Sequence, residues 1–217
     1  MKFLVQACYI LTGLLLIPNS LYSQNQKIAD SLTTVYEKNE LEGIEKMELL
    51  KNLSYNLLNN AEQKLNYSEE LIRLAEQYNN SGYMFSGYLQ KGFQHQKSGD
   101  ISEALEAFFK CVEIAELSGN LPDKGTAYMS LADCYSIIGN FNTAYEYYKK
   151  SIDILRKTSD SIALGSALLN AGDFQLTNKK FESALTYFTE SGKIFEAIDY
   201  SSGIAYNYGN VVWLMLN

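Results

Sequence analysis

At 217 residues, 47% apolar and only 20% charged, the chain holds enough hydrophobic material for a substantial core and lacks the polar, proline-rich make-up of a disordered segment. Two prolines and fourteen glycines are too little punctuation for an all-β chain with frequent turns, so the composition points to an all-α protein with short connections. The 18 Lys and Arg against 25 Asp and Glu give a net charge of −7 without a local basic stripe, which excludes nucleic acid as an expected partner and disfavours anionic headgroups.

Residues 1–23 read as a signal peptide. Met1-Lys2 supplies a positive start, Phe3 to Ile17 is a mostly apolar run, Pro18-Asn19 ends it, and Ser23 ahead of Gln24 offers a cleavage point. The run is shorter than the ~20 apolar residues of a membrane-spanning helix. Cys8 precedes the body of the apolar run and does not form a lipidation box. The expected compartment is therefore outside the inner membrane, most simply the periplasm.

Residues 24–84 read as amino-terminal capping helices and a divergent repeat. Ile28, Leu32 and Val35 suggest a leading helix. Leu41, Ile44, Leu49, Leu53 and Leu57 form one apolar stripe, and Leu65, Leu71, Ile72, Ala75 and Tyr78 another, as expected of a helical hairpin.

From residue 85 onward the chain repeats itself every forty residues. Ala104 and Phe108, Ala144 and Tyr148, and Ala184 and Phe188 place a small residue and then an aromatic four positions later in three successive blocks. Before each block stands a turn: Ser98-Gly99-Asp100-Ile101, Ile138-Gly139-Asn140-Phe141 and Asn178-Lys179-Lys180-Phe181. Gly99 and Gly139 suit a left-handed helix end, Asp100 or Asn140 can cap the helix that follows, and Ile101, Phe141 and Phe181 lie where the hairpin closes. Upstream, the small residues Gly92, Ala132 and Gly172 are expected to let the second helix approach closely, with Ala104, Ala144 and Ala184 facing them. The units fall near 85–124, 125–164 and 165–204, followed by a half unit at 205–217 that opens a fourth first helix and carries no charge from Tyr206 to Leu216.

This large-small-large alternation resembles the tetratricopeptide repeat across Phe85 to Asn217, although Lys91 stands at a usually apolar position, Lys179 replaces a turn glycine, and the period exceeds the usual 34 residues. The extra length is expected in the second helix and its exit, Cys111 to Leu117 followed by residues 118–123. The resemblance implies a right-handed α-solenoid of helix-turn-helix units that binds a protein or peptide along the wall lined by first helices, without a cofactor. In register, that wall would carry Ser86, Leu89, Phe93, Gln96 and Lys97, then Thr126, Met129, Asp133 and Ser136, then Ser166, Leu169, Asp173 and Thr177, with Trp213 at its far end. Its apolar centre and polar rim suit a peptide or partner helix. Few lysines or asparagines stand there to clamp a carboxylate terminus; Lys97, Gln96 and Asn170 are the nearest.

Catalysis is not expected. His95 is the sole histidine, has no acidic neighbour in sequence, and occupies the place of Tyr135 in the next unit. No phosphate-binding glycine loop, paired-histidine zinc motif or Cys-x-x-Cys is present. Cys111 and Cys134 stand on successive units, as two buried thiols or as a disulfide, since an exported chain meets an oxidising compartment. Long-period repeats behind a signal peptide are similar to the sensory front of exported bacterial signalling proteins, ahead of a membrane helix and a cyclase or histidine kinase domain. That extension would continue beyond Asn217, and a free-standing periplasmic adaptor or scaffold is the alternative.

Overall fold

The computed structural model describes residues 27–56 and 60–216. The segment 1–23 that reads as a signal peptide, its Cys8, and Leu57 lie outside them. The described residues form ten helices and no strand: α1 (27–38), α2 (Gly43–Asn56), α3 (Ala61–Gln77), α4 (Ser81–Ser98), α5 (Ile101–Ser118), α6 (Leu121–Ile137), α7 (Phe141–Leu155), α8 (Ser161–Thr177), α9 (Phe181–Ala197) and α10 (Ser201–Leu216). The chain divides into two compact units, one running to Gln94 and the other from His95.

In the first unit, α2 and α3 pair through Met47, Leu50, Leu53, Leu71 and Ala75, all fully buried, and Ala29 of α1 joins the same core. The leading helix forms as expected but is rotated from its expected face. Ala29, Leu32 and Tyr36 point inward, whereas Ile28 and Val35 are exposed. The Tyr36 ring meets Tyr67 edge-on at 5.0 Å, and its hydroxyl donates to Glu70, which Lys46 also holds at 2.9 Å. Ile44 and Tyr78, expected in the apolar stripes, face solvent.

The second unit takes its order from a twenty-residue rhythm of helix ends. Gly99, Gly119, Gly139, Lys179 and Asp199 all have φ between 51° and 89°, so a left-handed residue stops one helix and the next helix begins two residues later. Lys179 adopts the glycine conformation at φ 59°, which explains how the third unit dispenses with its turn glycine. Asn120, Asn140 and Asp160 accept a backbone N–H from three residues ahead, as helix caps do. Asp100 makes no such bond; its carboxylate lies 3.7 Å from His95 Nδ1.

The extra length of the period is shared by both helices of a pair, in contrast to the expectation for the second helix alone: α5 spans 18 residues, and α6, α8 and α9 span 17 each. Residues 121–123, read as an exit loop, open α6 instead, because Pro122 in a first turn sacrifices no helical hydrogen bond. Helix pairs thus start at Ser81, Leu121, Ser161 and Ser201, four residues ahead of the unit starts taken from the sequence.

The repeated small and aromatic positions are buried: Ala104, Phe108, Ala144, Ala184 and Phe188 have no exposed surface. What faces Gly172 of the first helix most closely is, however, the aromatic and not the alanine. A Cβ on Gly172 would lie 2.5 Å from the Phe188 ring. Two further glycines, one turn into each first helix, do the same work. A Cβ on Gly125 would meet Leu155 at 2.5 Å, and one on Gly165 would meet Phe195 at 2.5 Å. Serines one turn before those large residues tie the contact, Ser151 Oγ donating to Gly125 O and Ser191 Oγ to Gly165 O. Cys111 and Cys134 are free thiols buried in this interior.

Phe188→Ala should therefore cost about 3–5 kcal/mol of stability, and Gly165→Ala about 1–3 kcal/mol through overpacking against Phe195. Phe181→Ala, at a half-exposed ring, should stay within about 0.5 kcal/mol. Urea unfolding followed by circular dichroism separates the three; equal losses for Phe181 and Phe188 would contradict this packing.

Candidate functional site

Because α6 and α8 stand one period apart, Asp133 and Asp173 occupy the same place on neighbouring first helices. Asn170 on α8 and Asn210 on α10 repeat likewise. The four side chains form a ladder. Asn170 Nδ2 donates to Asp133 Oδ2 at 3.2 Å, and Asn210 Nδ2 donates to Asp173 Oδ1 at 2.6 Å. Each rung joins one first helix to the next. The Tyr148 hydroxyl, reaching in from α7, donates to Asp133 Oδ1.

Asp133, Tyr148, Asn170 and Asp173 line a cleft of about 290 Å³ with Gln96, Ser136, Ile137, Phe174 and Thr177. Gln96 Nε2 lies 3.7 Å from Cys134 Sγ. No lysine, arginine or histidine lines the cleft, and among the described residues no cation pairs with either aspartate. Asp173 Oδ2 has no hydrogen-bond donor among them. Burial pushes the Asp133 carboxyl up to about 6, against the opposing pull of Tyr148 and Asn170, and the Asp173 carboxyl also to about 6. The negative pair in turn raises the Tyr148 hydroxyl far above its ordinary range, burial being the larger cause, so Tyr148 serves as a fixed donor.

Of the wall residues read from the sequence, the structure brings Gln96, Asp133, Ser136, Asp173 and Thr177 together in this cleft. Met129 packs, partly buried, on the core formed by α7 and α8, and Leu169 belongs to the core around Phe188 and Phe195. Lys97 is exposed at the end of α4, Leu89 and Phe93 are partly buried in the first unit, and Trp213 is half-exposed on α10. The cleft is thus acidic and polar at its centre, where the register suggested an apolar one. Tyr148 and Asn210 are not among the site residues read from the sequence, and Asn170 stands there only as one of the few amides near the wall. The forty-residue recurrence of Asn170 and Asn210 beside the two aspartates is the signal that marks them.

No group of His, Cys, Asp and Glu among the described residues is arranged to hold a metal ion, and no described helix is long and apolar enough to cross a membrane.

A tetratricopeptide repeat family model matches residues 83–157 and 128–197. No match was found among curated protein sequences. Among solved structures, the apo form of RapI is similar at 21% identity and a TM-score of 0.66, over 81% of this chain and 66% of that one. A Rap protein complexed with Competence and Sporulation Factor is similar at 18% identity and a TM-score of 0.61, over 89% of this chain and 60% of the other. The repeats of a Podosopora anserina putative kinesin light chain share 14% identity with a TM-score of 0.60, over 82% and 90%. This chain spans less than two thirds of either Rap chain, and at these identities the likeness concerns the fold.

Both aspartates hold protons in the folded state that the unfolded chain, with carboxyls near 3.8, has already released. Their contribution to stability is therefore largest below about pH 4, falls as pH rises toward 6, and stays low above it. Asp133→Asn should gain stability relative to the natural chain as pH rises through that window and be the more stable of the two at pH 7. Urea midpoints at pH 4, 5, 6 and 7 check the sign; a difference that shrinks with rising pH contradicts the burial of this carboxylate.

Proposed function

The chain belongs to the tetratricopeptide repeat family, and from that premise we propose that its second unit is a non-catalytic binding module that holds a protein or peptide partner in the α6–α8 cleft. The partner presents a cationic group, a Lys or Arg side chain or a free amino terminus, to Asp133 and Asp173. The observation that carries this reading is a pair of carboxylates in one cleft without a counter-charge. Burying charge in this way is costly, and a cation seated between the two would relieve it. Asn170 and Asn210 fix the carboxylates in place, and the polar Gln96, Ser136 and Thr177 offer hydrogen bonds to a peptide backbone. A similarly folded Rap protein is complexed with the Competence and Sporulation Factor, which agrees with a binding role for this fold.

In the wider setting, the chain is the ligand-reading part of an exported bacterial signalling protein, and its reading as a periplasmic protein rests on the apolar segment Phe3 to Ile17 behind Met1-Lys2.

Short peptides carrying one Lys or Arg should bind more tightly than the same peptides carrying Glu or norleucine, measured by calorimetry. Asp173→Asn should weaken the cationic peptides by at least about tenfold, and binding should fade below pH 6 as the carboxyls protonate. Equal affinity for acidic peptides, or a D173N variant that binds unchanged, rules the cleft out. For the compartment, a tagged chain expressed with its own first residues should fractionate outside the inner membrane with a mature terminus at Gln24; a cytoplasmic product beginning at Met1 contradicts export.

A further inference from the structure

A second void of about 240 Å³, more enclosed than the acidic cleft, adjoins it between α7 and the end of α8. Phe141 and Tyr145 of α7 and Phe174 of α8 give it three aromatic walls. Glu146 and Lys180 stand exposed at its rim and bring one charge of each sign, so the void sets rings and no net charge against an occupant. Asn178 Nδ2 donates to Phe174 O at 2.7 Å and holds the end of α8 in place behind the third ring. The volume is smaller than that of pockets enclosing drug-sized ligands and suits a single large side chain.

The repeat does not itself call for these rings. One period earlier the equivalents of Phe141, Tyr145 and Phe174 are Ile101, Leu105 and Cys134, and one period later they are Phe181, Leu185 and Leu214. Of these three levels, only the one beside the cleft carries three aromatics. Two of them are left uncovered, Phe141 at 47% and Tyr145 at 40% exposure. Phe174 is the residue common to both linings. Its ring lies 6.3 Å from that of Phe141, which lines the pocket, and 5.3 Å from that of Tyr148, which lines the cleft and donates to Asp133. Groups touching this one ring from the two voids stand about 7–8 Å apart, twice an ordinary contact distance. Alternate side chains of an extended peptide lie on one side of it about 6.4–6.8 Å apart. The two spans match.

We propose that the Phe141–Tyr145–Phe174 pocket is a second subsite for the same peptide, and that it takes an aromatic side chain two positions from the cationic residue held by Asp133 and Asp173. The motif rests on the reading of the cleft as the seat of a cation, and it narrows the partner to a Lys or Arg and an aromatic residue separated by one residue in an extended segment. Three tilted rings offer both faces and edges to a fourth, which favours an aromatic over an aliphatic occupant. The division of labour is physical: the carboxylates select charge, and the pocket supplies the apolar burial that a polar cleft lacks.

Calorimetric titration of the purified chain with end-blocked pentapeptides tests this. The probes are Gly-Lys-Gly-Phe-Gly and Gly-Phe-Gly-Lys-Gly, each with a counterpart in which Gly replaces Phe and one in which Lys and Phe are adjacent. The better of the two Phe peptides should bind at least about tenfold more tightly than its glycine counterpart, and the adjacent arrangement should lose that gain. Phe141→Ala and Tyr145→Ala, both at exposed rings, should keep full helicity by circular dichroism and full affinity for the glycine peptide while removing most of the Phe gain. Asp173→Asn should weaken the Phe and glycine peptides by a similar factor. A Phe peptide no tighter than its glycine counterpart, a gain that survives F141A and Y145A, or a gain kept when the two side chains are adjacent each overturns the subsite. In those cases a glycine peptide that still needs Lys and Asp173 leaves the cleft standing. Affinities indifferent to Lys and to D173N overturn the cleft, and the two-part motif with it.

Discussion

The second unit depends on how closely the two helices of a pair can approach. Three contacts of one kind set that distance: Leu155 on Gly125, Phe195 on Gly165 and Phe188 on Gly172. In each, a large side chain occupies the volume that a Cβ would otherwise fill. Because the knob comes from the second helix and the hole from the first, the contact fixes both separation and register. The serines at 151 and 191 add a hydrogen bond to the carbonyl of the receiving glycine, so the glycine's exposed backbone is satisfied as well as covered. Once the pairs have this form, Asp133 and Asp173 must fall at equal heights on neighbouring first helices, and the cleft follows from the packing.

The sequence made some of this visible and hid the rest for physical reasons. The alternation of Ala104, Ala144 and Ala184 with Phe108, Tyr148 and Phe188 was readable because burial demands fixed residue types at fixed intervals. Gly125 and Gly165 were not readable in the same way, since a glycine early in a helix looks like a weakness until the ring lying on it is seen. The twenty-residue rhythm of helix ends was obscured because Gly, Asn, Asp and Lys all occupy the left-handed position, the conformation being shared while the residue type is not. In the cleft, register alone placed the two aspartates correctly on one wall. Their partners were missed because each rung joins residues 37 apart, three short of a period, and because Tyr148 served the repeat pattern so well as a core aromatic that its hydroxyl went uncounted.

Tyr148 also shows how stability and site chemistry are joined here. Its ring stands in the core beside Phe174 at 5.3 Å, while its hydroxyl enters the cleft to meet Asp133. The carboxylate is thereby anchored from behind by the second helix and from the side by Asn170 on the next first helix. Such anchoring restrains motion but does not neutralise charge. The cleft keeps a negative potential that hydrogen bonds from neutral donors leave in place, and a cationic ligand is the group that would gain most from it.

The last interface breaks the pattern in an informative way. Where Ala167 of α8 meets the α7 surface that carries Ile152, α10 presents Asn207 and α9 presents Gly192, the large and small partners having changed sides. A Cβ on Gly192 would lie 2.5 Å from Asn207 Nδ2, so the exchange is sterically compensated, yet Asn207 Oδ1 is buried without a hydrogen-bond partner. An unsatisfied buried carbonyl makes this contact weaker than the alanine-based one it replaces. Helix α10 is therefore held less firmly against α9 than α8 is against α7, because the polar group placed in its buried face finds no donor while the alanine at the equivalent place on α8 needs none.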